Sequence, residues 1–192
     1  MKATDLLMQE HRAIERGLTV LEHATRRLEA GETLRKDFLD DAIRFIRLFA
    51  DQCHHGKEEG FLFPALERQG FPRQAGPLAV MQFEHDEGRR LVRAMTEILG
   101  EVKSRKTGAV ETFGKDARAF TSLLRDHIRK EDEVLFVMAD DRIPPDEQET
   151  LMADFENAEA TGEACIMKSE LLRMLSRLEE EVSGKAGAAP GS

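Results

Sequence analysis

Two stretches of the chain match one another and limit what it can fold into. Residues 54–63 read HHGKEEGFLF and residues 127–136 read HIRKEDEVLF, with His, Lys, Glu, Leu and Phe at the same offsets and Glu59 opposite Asp132. Each copy contains His-x-x-x-Glu. Four residues of α-helix turn through about 400°, so the His and the Glu project from one face on adjacent turns. Both copies continue apolar stripes. Ala42, Ile46 and Ala50 lead to His54, Glu58 and Leu62; Phe120 and Leu123 lead to His127, Glu131 and Leu135. A carboxylate carried into a helical core is costly unless it is paired or bound to a cation. Two of them, each one turn from an inward histidine, predict a bundle that holds metal between its helices.

The rest of the chain agrees with a helical reading. Alternation at period two is absent, and apolar residues recur at helical spacing in four long segments. The first spans about residues 4–30, with Leu7, Ile14, Leu18, Leu21 and Leu28 on one side and Gly31 beyond its end. The second starts near residue 33, and Pro64 is expected to kink or end it. The loop GFPRQAGP, residues 70–77, separates it from a third helix over about 77–106, lined by Leu78, Met81, Val92, Met95 and Leu99. The fourth covers about 109–139, with Phe113, Phe120, Leu124 and Phe136 inward. Short connections make this an all-α, up-down-up-down four-helix bundle over residues 1–143. One or two further helices are expected in an extension, residues 144–184. The second of these, about 163–182, places Ile166, Leu171, Leu175, Leu178 and Val182 on one side. The small-residue tail 185–192 reads as disordered.

Of six histidines in 192 residues, two belong to the repeat already described. His11 and His85 supply the other two long helices, each on an apolar side. Counting ~1.5 Å per residue, His11 lies ~28 Å before the end of its helix and His54 ~30 Å after the start of the next. By the same rise His85 is ~31 Å from the end of the third helix and His127 ~27 Å from the start of the fourth. An antiparallel bundle therefore carries all four at one height. His55 falls on the stripe Asp40, Arg44, Arg47, Asp51, Glu59, which reads as a solvated face with a role at the surface or behind the ligands. His23 reads as exposed. Cys53 reads as a small buried thiol, and two cysteines, Cys53 and Cys165, do not make a disulfide framework.

Composition excludes several classes. The net charge of -9 and the lack of a basic stretch argue against nucleic acid as a partner. No apolar run is long enough to cross a membrane, and the charged start, MKATDLLMQEHR, does not read as a signal peptide, so a cytoplasmic protein is expected. Four imidazoles and two carboxylates suit iron best, ahead of manganese or zinc. Neither Glu-x-x-His nor His-Glu-x-x-His occurs.

The segments EHRAIE around His11, HHGKEEGFLFPAL, EHDEGR around His85 and DHIRKEDEVLF together resemble the hemerythrin-like, or HHE cation-binding, domain family over roughly residues 1–160. That resemblance implies a non-haem di-iron centre with an oxo, hydroxo or water bridge. It makes His11, His54, His85 and His127 terminal ligands and Glu58 and Glu131 bridging ones. One departure is visible. Respiratory hemerythrins carry His-x-x-x-His on the third helix, whereas the position four after His85 is Arg89. A solvent molecule, His55 or Glu15 (one turn from His11) can fill the gap, and the site is then more open than an oxygen carrier's. The resemblance points to a small ligand such as oxygen, nitric oxide or peroxide, or to iron handling. A peroxidase-like or iron-centre-repair enzyme is the second reading. A metal-dependent interaction module, with a homodimer formed through the last amphipathic helix, is the third. The absence of Tyr and Trp leaves neither side chain to be oxidised near a reactive centre.

Overall fold

The computed structural model describes residues 2–184, so the tail read as disordered lies outside the described residues. Among these every regular element is helical. Helix α1 is Ala3–Glu29. Helix α2 covers residues 38–68 and α3 is Gly76–Lys103. Helix α4 covers residues 109–142. The extension forms α5 (Pro145–Thr161), α6 (Glu163–Ile166) and α7 (Lys168–Val182). The all-α bundle with additional C-terminal helices follows the expectation from periodicity.

Local chemistry explains the breaks. Gly31 takes φ 82° after α1, a left-handed conformation that costs glycine little. There Glu32 N–H bonds the Arg27 carbonyl at 2.9 Å, closing the exposed end of the helix. Pro77 and Pro145 lie in the first turns of α3 and α5, where a missing N–H costs nothing. Pro64 does not end α2, which continues to Arg68. The preceding turn, Glu58–Leu62, is π-helical, and its i→i+5 bonding leaves room for a residue that cannot donate. Two more π-helical stretches occur, Ile46–His55 in α2 and Glu131–Leu135 in α4. The sequence repeat is thus a structural repeat, since each copy widens at its glutamate.

The apolar side chains form two main clusters. The larger gathers Ile14, Leu18, Leu21, Phe45, Phe49, Met95 and Phe113. The smaller gathers Leu7, Leu62, Phe63, Leu78, Leu135 and Phe136. His11, His54, Glu58, His85, His127 and Glu131 occupy the residue levels between them on all four helices. The extension seals both clusters: Leu151 and Phe155 of α5 join the smaller, while Leu171, Leu175 and Leu178 of α7 join the larger. The apolar face of α7 packs against its own domain, and the alternative use of that face to pair two copies finds it occupied within the chain. Ile166 departs from expectation and is exposed, because the chain breaks at Met167 between α6 and α7 and turns Cys165 inward instead. Cys165 forms a disulfide with Cys53, correcting the reading of Cys53 as a free thiol. The two are 112 residues apart, and only the return of the extension across α2 brings them together.

Helices α1 and α2 approach closely at Gly17. A Cβ there would meet the Phe45 ring at 2.6 Å. Phe45 is buried and stacked on Phe49 with centroids 5.0 Å apart, so it has nowhere to move. Gly17→Ala should lower stability by about 1–2 kcal/mol, overpacking outweighing the gain in helix propensity. Gly100→Ala, at an exposed α3 position with open space around it, should raise stability by up to about 1 kcal/mol. Thermal or denaturant unfolding of the two variants checks the opposite signs.

Candidate metal centre

The four histidines expected at one height form one layer. The rings of His11 and His54 have centroids 4.6 Å apart, and those of His85 and His127 4.7 Å apart. Between the pairs lie Glu58 and Glu131, both with no solvent exposure. Glu58 reaches across the layer. Its Oε1 is 3.4 Å from His54 Nε2 and its Oε2 is 3.4 Å from His85 Nε2. Glu131 Oε2 is 3.3 Å from His11 Nε2 and 3.2 Å from His127 Nε2. Neither these three oxygens nor Glu131 Oε1 has a hydrogen bond among the described residues, and neither do His11 Nε2 and His54 Nε2. Buried polar atoms without partners are rare and costly. Two groups that could hold a metal ion result: His11, His54, Glu58 and Glu131 in one, and His55, Glu58, His85 and His127 in the other. In each group one ligand atom per residue lies within 4.8 Å of the others. This donor set of imidazole nitrogen and carboxylate oxygen fits a pair of cations.

His55 corrects the reading of a solvated face. It is buried, stacks on His85 at 3.8 Å between centroids and belongs to the second group. The reason is the π-helical stretch Ile46–His55. An α-helical wheel assigns faces at 3.6 residues per turn, whereas i→i+5 bonding takes more residues per turn and shifts later side chains around the axis. Glu15 is not brought in: it pairs with Arg12 at 3.0 Å near the surface. Arg89, where respiratory hemerythrins have a histidine, points to Asp51 at 2.8 Å and Glu59 at 2.7 Å. His23 lies outside both groups.

Behind the layer is a feature that sequence reasoning missed. The outer nitrogen of each expected ligand histidine faces a carboxylate from the preceding helix of the ring. Glu10 of α1 accepts from His54 Nδ1 of α2 at 3.0 Å, and Glu59 of α2 from His85 Nδ1 of α3 at 2.7 Å. Glu84 of α3 accepts from His127 Nδ1 of α4 at 3.0 Å, and Asp132 of α4 from His11 Nδ1 of α1 at 2.6 Å. These bonds place the proton on Nδ1 and leave Nε2 turned inward as a donor for metal. A signal was present in the sequence: an acidic residue directly precedes His11 and His85 and directly follows Glu58 and Glu131. Each of these neighbours projects past its own ligand to serve the helix beside it.

Electrostatics follow from this arrangement. Burial opposes charge on His11, but the Asp132 hydrogen bond and the Glu131 carboxylate outweigh it and raise its pKa to about 9. Burial likewise opposes charge on His127, while the charge of Glu131 and the bond to Glu84 raise it to about 10. Glu131 is held well below the usual carboxylate range: burial alone would raise it, and His127 and His11 overcome that effect. His55 is pushed down by burial and by the neighbouring imidazoles, which favours the neutral form that metal binding needs. A cavity of about 410 Å³ opens on this side, reaching His55, His85, Asp51 and Arg89 past the apolar side chains of Phe120 and Leu124.

The raised histidines give a sign for the metal-free chain. Their ionic contacts contribute stability that is complete below about 6.5, the value of an unperturbed histidine, and is lost as pH rises through about 9 to 10. Urea unfolding of metal-free protein between pH 6.5 and 10 should show this decline. Glu131→Gln should flatten it.

The comparisons with known proteins converge on one family. The model of the hemerythrin HHE cation binding domain matches residues 2–139. Uncharacterized proteins of Mycobacterium bovis and of two Mycobacterium tuberculosis strains are each 27% identical over 157 residues, 82% of this chain and 61% of theirs. The chain thus spans about three fifths of the length of these relatives. No solved structure matches it. The layered ligands and the matched span agree: the chain belongs to the hemerythrin HHE cation-binding domain family.

Proposed function

We propose that the chain is a di-iron protein that binds a small oxygen- or nitrogen-containing ligand such as oxygen, nitric oxide or peroxide. The observation that carries this reading is the pair of fully buried carboxylates, Glu58 and Glu131, whose oxygens have no hydrogen bond among the described residues and face imidazole nitrogens 3.2 to 3.4 Å away. One ion is assigned to His11, His54, Glu58 and Glu131, the other to His55, Glu58, His85 and His127. Nitrogen and oxygen donors in these numbers favour iron over zinc, which more often closes its structural sites with four ligands including cysteine. Iron held there would supply a redox-active centre able to coordinate such ligands.

The chain's own side chains support a division of labour between the halves. The cavity reaches the His55, His85 and His127 half, so a ligand arriving from solvent meets that ion. Arg89 is held by Asp51 and Glu59 at the cavity wall and fixes Glu59, which in turn orients His85. The other half is closed off by Glu10 and the extension. Reversible carriage of oxygen needs a protected pocket, whereas a cavity of about 410 Å³ admits solvent along with the ligand and so favours sensing or reaction.

Anaerobic loading with iron(II), followed by metal analysis, should give two irons per chain. Fewer than two in the unaltered protein would sink the di-iron reading. Glu58→Gln should lower the stoichiometry to one or less, because this side chain touches both ligand groups. His55→Gln should weaken one ion by about 10-fold or more and leave the other in place. Retention of both ions at full affinity would remove His55 from the ligand set.

A further inference from the structure

The half of the centre away from the cavity is closed by residues of the extension. Glu10, which orients His54, is itself 3% exposed. Its second oxygen, Oε1, accepts from Lys57 Nζ at 2.5 Å and from Lys168 Nζ at 2.8 Å. Lys57 is 1% exposed. Glu159 Oε1 completes the square, accepting from Lys57 at 2.9 Å and Lys168 at 2.5 Å. Two of the four corners come from the bundle and two from the extension, Glu159 on α5 and Lys168 at the start of α7. Buried alone, Glu10 and Lys57 would pair one to one. The second cation and second anion make a four-membered network in which each charge meets two opposite ones. The disulfide lies beside it. Cys53 directly precedes His54, and Cys165 lies three residues before Lys168.

We propose that the Cys53–Cys165 pair is a thiol–disulfide redox site that latches the extension onto the metal centre, with Lys168 and Glu159 as positioning residues acting through Glu10 on His54. The proposal rests on the di-iron reading only for its effect on metal. Closed, the disulfide holds α6 against α2 and seats Lys168 on Glu10. A dithiol reductant opens it by exchange. The Cys53–Cys165 bond breaks, its two sulfurs gain two electrons and two protons, and the dithiol becomes its own disulfide. Helix α6 is only four residues long and carries the bond, so opening it frees the corner between α6 and α7 and shifts Lys168 at the first position of α7, while Leu171 and Leu175 keep the rest of α7 docked. Glu10 is then less firmly fixed, and His54 loses its oriented partner. Loss of such an outer hydrogen bond costs metal affinity by about 10- to 100-fold.

The test uses the full chain. With two irons bound, treatment with dithiothreitol should expose two thiols and speed release of one iron to a chelator by about 10-fold or more, leaving the other unchanged. Lys168→Met should give the same single fast iron with the disulfide intact, and Lys168→Arg should restore slow release. In metal-free protein, the 15N resonance of His54 Nδ1 should move on reduction and in Lys168→Met. The proposal is overturned if two free thiols appear while both release rates and the His54 resonance stay put. It is also overturned if both irons are released equally faster as the bundle loses helicity, since the bond is then a staple only. A chain that takes up no iron overturns the di-iron reading instead, and the His54 resonance alone then decides on the latch.

Discussion

Two carboxylates without hydrogen-bond partners, Glu58 and Glu131, sit at the centre of this bundle, and most of its construction can be understood as holding them there. Unpaired, each would cost several kcal/mol of desolvation. Around Glu131, His11 and His127 offset part of this, their pKa values being raised by that carboxylate, and bound cations would offset more. The apolar clusters on either side keep water away from the layer, which strengthens every charge interaction within it. The same exclusion makes the layer intolerant of an incomplete set, since removing one partner strands another.

Orientation is the second requirement, and the ring of outer carboxylates meets it. Glu10, Glu59, Glu84 and Asp132 each fix a histidine on the adjacent helix. Ligand geometry and helix packing are thereby one problem, because a helix that shifted would drag its neighbour's imidazole with it. The two halves of the layer differ in what lies outside them. A solvent-reachable cavity adjoins His55 and His85, while a network of buried Glu10 and Lys57 with half-buried Glu159 and Lys168 adjoins His54. One half is arranged for exchange with the surroundings and the other for retention.

Much of this was legible in the sequence. Apolar periodicity gave the four long helices, and equal distances from the turns put His11, His54, His85 and His127 at one height. The internal match singled out Glu58 and Glu131. What escaped did so for identifiable reasons. His55 was assigned to the wrong face because a wheel drawn at α-helical pitch fails where the backbone bonds i→i+5. The disulfide and the Glu10 network join residues more than 100 positions apart through an extension whose docking no local pattern reports. The outer carboxylates were visible as residues but not as partners, since each serves a helix other than its own.

The direction of that ring bears on how the protein is made. Three of its links join consecutive helices and span 44, 26 and 43 residues. The fourth, from Asp132 back to His11, spans 121. The third of these links already needs His127 of α4, so only His54 and His85 can be oriented before α4 is in place, while His127 and His11 wait for it. On the di-iron proposal, each ion would meet a complete set of side chains only after α4 has docked, since one group needs Glu131 and the other His127. Insertion of the proposed pair would then be timed by the arrival of the last helix rather than by the first histidines to appear.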